Sequence, residues 1–141
     1  MMSARAGFTL LELLVVLAIL ALLAQGMTGG LGASLPAMRL KAAARILADD
    51  LRATRRAAIL DQHEAVLTVR PDGYLPADEP HPRTLPTGTR LSLAGGDRRA
   101  TSRVFFFPDG SSSGGRLQLQ LGSRQTGVTI DWLTGRVSVD E

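Results

Sequence analysis

Glu12 is the residue with the strongest chemical demand, because it is the one charge in the run Phe8–Ala24, FTLLELLVVLAILALLA. A carboxylate inside an apolar helix costs about 2.5–3.5 kcal/mol on insertion scales, and residues of this kind serve a function by default. Surrounded by leucines it needs a cationic partner, and a pair buried in that way sets register more readily than it adds stability. Thr9 is the only hydroxyl in the same run. Ahead of it stands a short leader, Met1–Gly7 (MMSARAG), with one positive charge at Arg5 and two small residues at its end.

Other chemistry-bearing side chains lack partners at useful spacing. His63 and His81 are the only histidines. Neither has a ligand partner at helical or short-range spacing, so both are expected to be exposed and inert. Asp72, Asp78 and Glu79 are calcium-type ligands, but EF-hand spacing is absent and prolines crowd the segment. Ser111–Ser113 lies in no G-x-S-x-G elbow, and Gly110–Arg116 (GSSSGGR) lacks the lysine of a phosphate-binding loop. Trp132, beside Asp131, reads as a packing residue. Cysteine is absent, which excludes disulfides and thiolate metal sites. No catalytic residue, metal or cofactor is expected, and the protein does not read as an enzyme.

The net charge of +3 is small, and a basic balance alone does not establish a nucleic-acid partner. Arg39, Lys41, Arg45, Arg52, Arg55 and Arg56 make one helical segment basic. Such a helix suits nucleic acid or anionic lipid. Because Asp49 and Asp50 interrupt the run, a solvated face is the favoured reading.

Hydropathy alone leaves two readings of the N-terminus. A secretory signal would be cut after the apolar stretch, near Ala24–Gly26. A retained anchor would need more length, since 17 residues span roughly 25 Å against a hydrocarbon core of ~30 Å. Continuation through Gln25–Leu35 supplies it. Glu12 favours the anchor, because a cleavable signal has no use for a carboxylate. The order Gly7-Phe8-Thr9-Leu10-Leu11-Glu12, followed at once by the apolar run, resembles the processing signal of type IV pilins and pseudopilins. That resemblance implies cleavage between Gly7 and Phe8 by prepilin peptidase, a membrane aspartyl protease, and then methylation of the new amine on Phe8. It also implies that Glu12, fifth in the mature chain, pairs with the N-terminal amine of a neighbouring subunit. Glycine suits the cut because an extended backbone without a side chain enters a protease cleft unobstructed.

A second resemblance lies in the C-terminal half. Phe107-Pro108-Asp109-Gly110-Ser111-Ser112-Ser113-Gly114-Gly115, then Leu117-Gln118-Leu119, Ile130-Asp131 and Thr134-Gly135-Arg136-Val137, is similar to the GspH/FimT family. That family holds the H-type minor pseudopilins of type II secretion and related minor pilins of type IV pili. Membership implies a structural subunit in the tip complex of a periplasmic pseudopilus, needed for export of folded proteins. The implied partners are prepilin peptidase, other minor and major pseudopilins, and the inner membrane. The C-terminal domain would lie in the periplasm. The alternative is a type IV pilus minor pilin that aids pilus assembly or captures DNA. Relatives that bind DNA resemble one another in a G-R-x-R element, and here Gly135-Arg136-Val137-Ser138 lacks the second arginine. Arg136 is therefore the candidate DNA contact only under the alternative, and a nucleic-acid partner is not expected.

These residues need a long helix and a sheet to position them. The expected organisation is a leader over 1–7, a transmembrane and assembly segment over 8–35, and a periplasmic domain over 36–141. Gln25–Gly32 is glycine-rich and Pro36 follows, so the helix is expected to weaken there and to kink or restart. From Ala37 to Leu60, Leu40, Ala44, Leu47, Leu51, Thr54 and Ala58 form one stripe at spacings of three and four. Alternating or apolar strands are expected at 65–70, 90–93, 103–107, 117–121, 128–132 and 137–139. Tyr74–Gly88, rich in proline, reads as an irregular or edge segment. Pro108-Asp109-Gly110 and Leu133–Arg136 read as turns, and Gly114-Gly115 as a bulge site. The fold class is α+β and pilin-like, with a long N-terminal hydrophobic helix packed on an antiparallel β domain.

Overall fold

A computed structural model describes residues 9–77, 79–96 and 101–140; for residues 25–34 the backbone alone is described. The chain forms two compact units, residues 1–35 and residues 36–141. One helix, α1, covers Leu10–Asp61, and Pro36 lies inside it. The expected kink or restart is thus not a break in the helix. The missing N–H of Pro36 removes a single bond. The packed stripe that begins at Leu40 holds the next turns helical.

In unit two that stripe is buried throughout: Leu40, Ala44, Leu47, Leu51, Thr54 and Ala58 are each at most 3% exposed. Eight strands follow: β1 (Ala65–Arg70), β2 (Gly73–Leu75), β3 (Arg83–Thr84), β4 (Thr89–Ala94), β5 (Arg103–Phe106), β6 (Gly115–Leu121), β7 (Arg124–Ile130) and β8 (Val137–Val139). They make two antiparallel sheets rather than one, ordered β3-β2-β1-β5 and β4-β6-β7-β8. The proline-rich segment supplies β2 and the two-residue edge strand β3, in keeping with an edge position.

Alternation places Leu67, Val104 and Phe106 of the first sheet in the core with Leu117, Leu119 and Val128 of the second, all fully buried. The helix stripe completes that core. Two charged residues of the helix, Asp50 and Arg55, turn inward against the solvated-face expectation. The Asp50 carboxylate, only 16% exposed, accepts a hydrogen bond from Tyr74 Oη at 2.7 Å and lies 3.0 Å from Arg83 Nε. It therefore ties the proline-rich segment to the helix. Burial of Tyr74, and then its bond to Asp50, hold the phenol protonated well above its usual range.

Candidate functional site

At the N-terminus, Gly7 and Phe8 lie outside the described residues. Glu12 is exposed on the first turn of α1. The backbone there forms a cap. Thr9 Oγ1 accepts the Glu12 N–H at 3.2 Å, and the Thr9 carbonyl accepts the Leu13 N–H at 3.2 Å. Thr9 is thus the N-cap, and Glu12 sits three residues on, where a capping box places its acid. The T-x-x-E spacing was the sequence signal for this. A carboxylate on the first turn also complements the positive end of the helix dipole.

From Leu10 to Leu23 the large apolar side chains are exposed on every side, Leu10 at 86% and Leu22 at 70%. A helix that is apolar all round requires an apolar environment or apolar partners. The described side chains Leu10–Ala24 cover only about 22 Å of axis. Among the described residues no helix is long and apolar enough to cross a membrane. The rest of the expected span falls on residues 25–34.

In unit two, the C-terminal motif residues converge on Arg55 of α1. The guanidinium Nε donates to the Gly110 carbonyl at 3.0 Å. Gly110 and Gly135 both hold positive φ, 85° and 62°. A Cβ on Gly135 would collide with the Gly110 carbonyl and with Arg55. Glycine is thus required where two turns close over one arginine.

The three serines stitch this region together. Asp109 Oδ1 accepts from the Ser111 hydroxyl and N–H, which lower its pKa in that order. Buried Ser112 donates its hydroxyl to the Asp131 carbonyl at 2.9 Å and accepts the Gly114 N–H at 3.0 Å. Ser113 Oγ accepts the Phe105 N–H. The motif therefore joins β5 of one sheet to the turn after β7 of the other. Ser112→Ala leaves the buried Gly114 N–H without its partner and takes one of two donors from the Asp131 carbonyl, which keeps the Gly135 N–H, so a loss of about 1–3 kcal/mol is expected in urea unfolding. A loss below ~0.5 kcal/mol, as at an ordinary surface site, would show that this stitch does not hold the sheets.

Asp131 organises the last turn by accepting from the N–H groups of Thr134 and Leu133 and from the Thr134 hydroxyl. The Thr134 bonds are the main reason its pKa is lowered; Arg136 adds a smaller attraction. Arg136 is exposed and lines an open cleft with Ser113, Thr129, Trp132 and Ser138. Trp132 does not pack as expected. β7 ends at Ile130, and the indole is 66% exposed, next to Leu133 at 63%. Its Cβ instead presses on Gly114, where an added Cβ would meet it at 2.9 Å.

The acidic C-terminus is engaged as well: Asp140 lies 2.6 Å from Arg116, and the pair spans Gly127. His63 and His81 are exposed. Glu79 lies 3.4 Å from Arg83. Asp78 lies outside the described residues.

Comparison with known proteins bears on both regions. Residues 2–24 match the family described as the prokaryotic N-terminal methylation motif. Residues 43–135 match the family described as type II transport protein GspH. Type II secretion system protein H of Xanthomonas campestris pv. campestris is 31% identical over 136 residues, covering 93% of this chain and 80% of that protein. Among solved structures, the type IV minor pilin FimU of Pseudomonas aeruginosa matches with a TM-score of 0.58 at 12% identity, over 72% of this chain and 88% of its own. The minor pseudopilin EpsH from the type 2 secretion system of Vibrio cholerae matches with a TM-score of 0.56 at 17% identity, over 72% of this chain and 95% of its own. The fold is α+β and pilin-like.

Proposed function

The chain belongs to the GspH family of type II transport proteins, and from that premise we propose that it is a minor pseudopilin, a structural subunit of the periplasmic pseudopilus in type II secretion. The observation that carries this reading is the first turns of α1. They are apolar on every side, capped by Thr9, and interrupted by one carboxylate at Glu12. A soluble helix buries one stripe; a helix exposed in this way is built for lipid first and for neighbouring helices afterwards. Residues 1–7 are the leader removed by prepilin peptidase, and residues 8–35 anchor the subunit in the inner membrane and assemble it. Residues 36–141 stand in the periplasm. Partners are the other minor and major pseudopilins, with this subunit in the tip complex.

The type IV pilus alternative is less favoured. Similarity to FimU and EpsH is a likeness of fold at low identity, whereas the 31% identical relative is a secretion protein. The motif residues Asp109, Gly110, Ser112 and Gly135 are all used to hold the fold, so no catalytic role is proposed for them.

Intact mass of the protein isolated from inner membranes tests the reading. A chain starting at methylated Phe8 is expected. Gly7→Phe is expected to leave full-length precursor in the membrane. A mature start near Gly26 would make this a secreted protein cut after its apolar run and would remove the pseudopilin assignment.

A further inference from the structure

The end of unit two at Pro36 carries an open surface with arginines on it. Pro36 and Arg39 from the helix, Pro86 and Thr87, and the β6–β7 hairpin tip line one open cleft of about 870 Å³. Arg39 and Arg124 bring two guanidinium groups to it, and none of its lining residues is acidic. Leu121 pairs with Arg124 across a two-residue tip, Gly122-Ser123, with Gly122 at φ 60°, so the tip is small, polar and exposed. Arg90 stands on the exposed face of β4 opposite Gln120, one residue pair from the cleft's Leu121. Lys41 and Arg45 lie on another side of the helix, in a second cleft with Asp49 and Asp140, and do not belong to this face. Among the described residues Arg39 and Arg90 make no ion pair.

We propose that this cationic face docks on the phosphate headgroups of an anionic phospholipid bilayer. The proposal rests on the anchored reading above. Leu35 directly precedes Pro36, so any surface that holds the apolar segment lies within reach of this face. Cations near an anionic surface gain attraction that falls off within a Debye length of ~8 Å. A tip of glycine and serine puts no bulky side chain between Arg39 and such a surface. An acidic protein partner or a nucleic acid would also meet arginines, but neither is tied by the chain itself to this end of the domain. Docking would keep the head oriented at the membrane until the subunit is drawn into the fibre.

The absence of cysteine makes the test direct. Ser123→Cys in the full-length chain carries a single spin label at the hairpin tip. The labelled chain is reconstituted into vesicles of phosphatidylcholine alone or with phosphatidylglycerol admixed, and contact is read from relaxation by nickel chelated to the lipid headgroups. Contact is expected to rise severalfold with phosphatidylglycerol and to collapse in high salt. The docked-to-undocked ratio is expected to fall about fivefold per cation removed in Arg39→Gln and Arg90→Gln, while Arg39→Lys keeps the contact. Equal contact in both vesicle types overturns the proposal. So does contact that survives Arg39→Gln together with Arg90→Gln, or that depends on protein density, as an interface between copies would. Displacement by dilute inorganic phosphate or by a DNA duplex reassigns the face to those ligands and likewise overturns it. Co-flotation is measured first: a chain that does not float with either vesicle loses the anchored reading, whereas one that floats without tip contact loses the docking proposal alone.

Discussion

Phe106→Ala is expected to lower the stability of residues 36–141 by about 3–5 kcal/mol. A domain of this size has roughly 5–15 kcal/mol in total, so the loss approaches half of it or more. Phe106 is fully buried on β5, opposite Ala65 of β1, and forms an isolated bridge with Ser112 in the serine stitch. Its ring therefore fills the core at the point where the first sheet is joined to the second. Removal costs the transfer energy of the ring and leaves a cavity that β5, fixed by β1 on one side and by Ser112 and Ser113 on the other, has little freedom to close. Phe105, its half-buried neighbour on the opposite face of the strand, is the control. Phe105→Ala should cost markedly less. Urea unfolding of the 35–141 fragment, followed by far-UV dichroism, measures both. Equal losses at the two positions would mean that the core is not where the strand alternation places it.

Part of this core is legible in the sequence. Helix and strand periodicities fix which residues face inward, and they do so locally. The 40-44-47-51-54-58 stripe and the alternation of β1, β4 and β6 were legible for that reason. Division into two sheets was not. It depends on β1 pairing with β5 and β4 with β6, across intervening segments whose composition carries no record of pairing. Charge alone predicts a solvated position for Asp50 and Arg55. Each is drawn inward by one distant group, the Tyr74 hydroxyl or the Gly110 carbonyl, that nothing in the helix sequence announces. Residue type predicts packing for Trp132, but the strand stops two residues earlier, where Asp131 turns its carboxylate to the amides that follow.

Pro36 shows the opposite case. It carries a local cost of about 3 kcal/mol in a helix interior. That cost yields to packing of the stripe from Leu40 onward, which lies outside any local window. In the candidate sites, the C-terminal motif was visible as a pattern, but its purpose was not. Gly110 and Gly135 prove to be space for Arg55, and Ser112 a stitch between sheets. At the N-terminus the carboxylate was conspicuous by its cost, while the Thr9 cap beside it was present in the T-x-x-E spacing and went unread.

Glu12→Ala is expected to leave processing and membrane insertion intact and to abolish or nearly abolish secretion at native expression. Insertion should be easier, because the substitution removes a charge worth about 2.5–3.5 kcal/mol against entering the bilayer. Assembly should fail for the complementary reason. If the amine of Phe8 on one subunit meets Glu12 of another inside the fibre, deleting the carboxylate leaves a buried cation without its partner. Breaking a buried pair in this way costs about 3–5 kcal/mol, far more than the pair itself contributes.

The capping geometry adds a second expectation. Glu12 lies at the N3 position of a helix capped by Thr9, so part of any Glu12 effect belongs to the helix end and not to assembly. Glu12→Gln separates the two. Glutamine serves a capping box nearly as well as glutamate, but it cannot neutralise an amine. Thr9→Ala makes the reverse change, removing the cap and keeping the charge, at a cost of about 1 kcal/mol. Secretion assays on the three variants, each checked for methylated Phe8 by mass, should therefore rank Glu12→Ala and Glu12→Gln together as inactive and Thr9→Ala as mildly impaired. If Glu12→Gln secretes normally while Thr9→Ala does not, Glu12 acts through the helix end, and no amine pairs with it in the fibre.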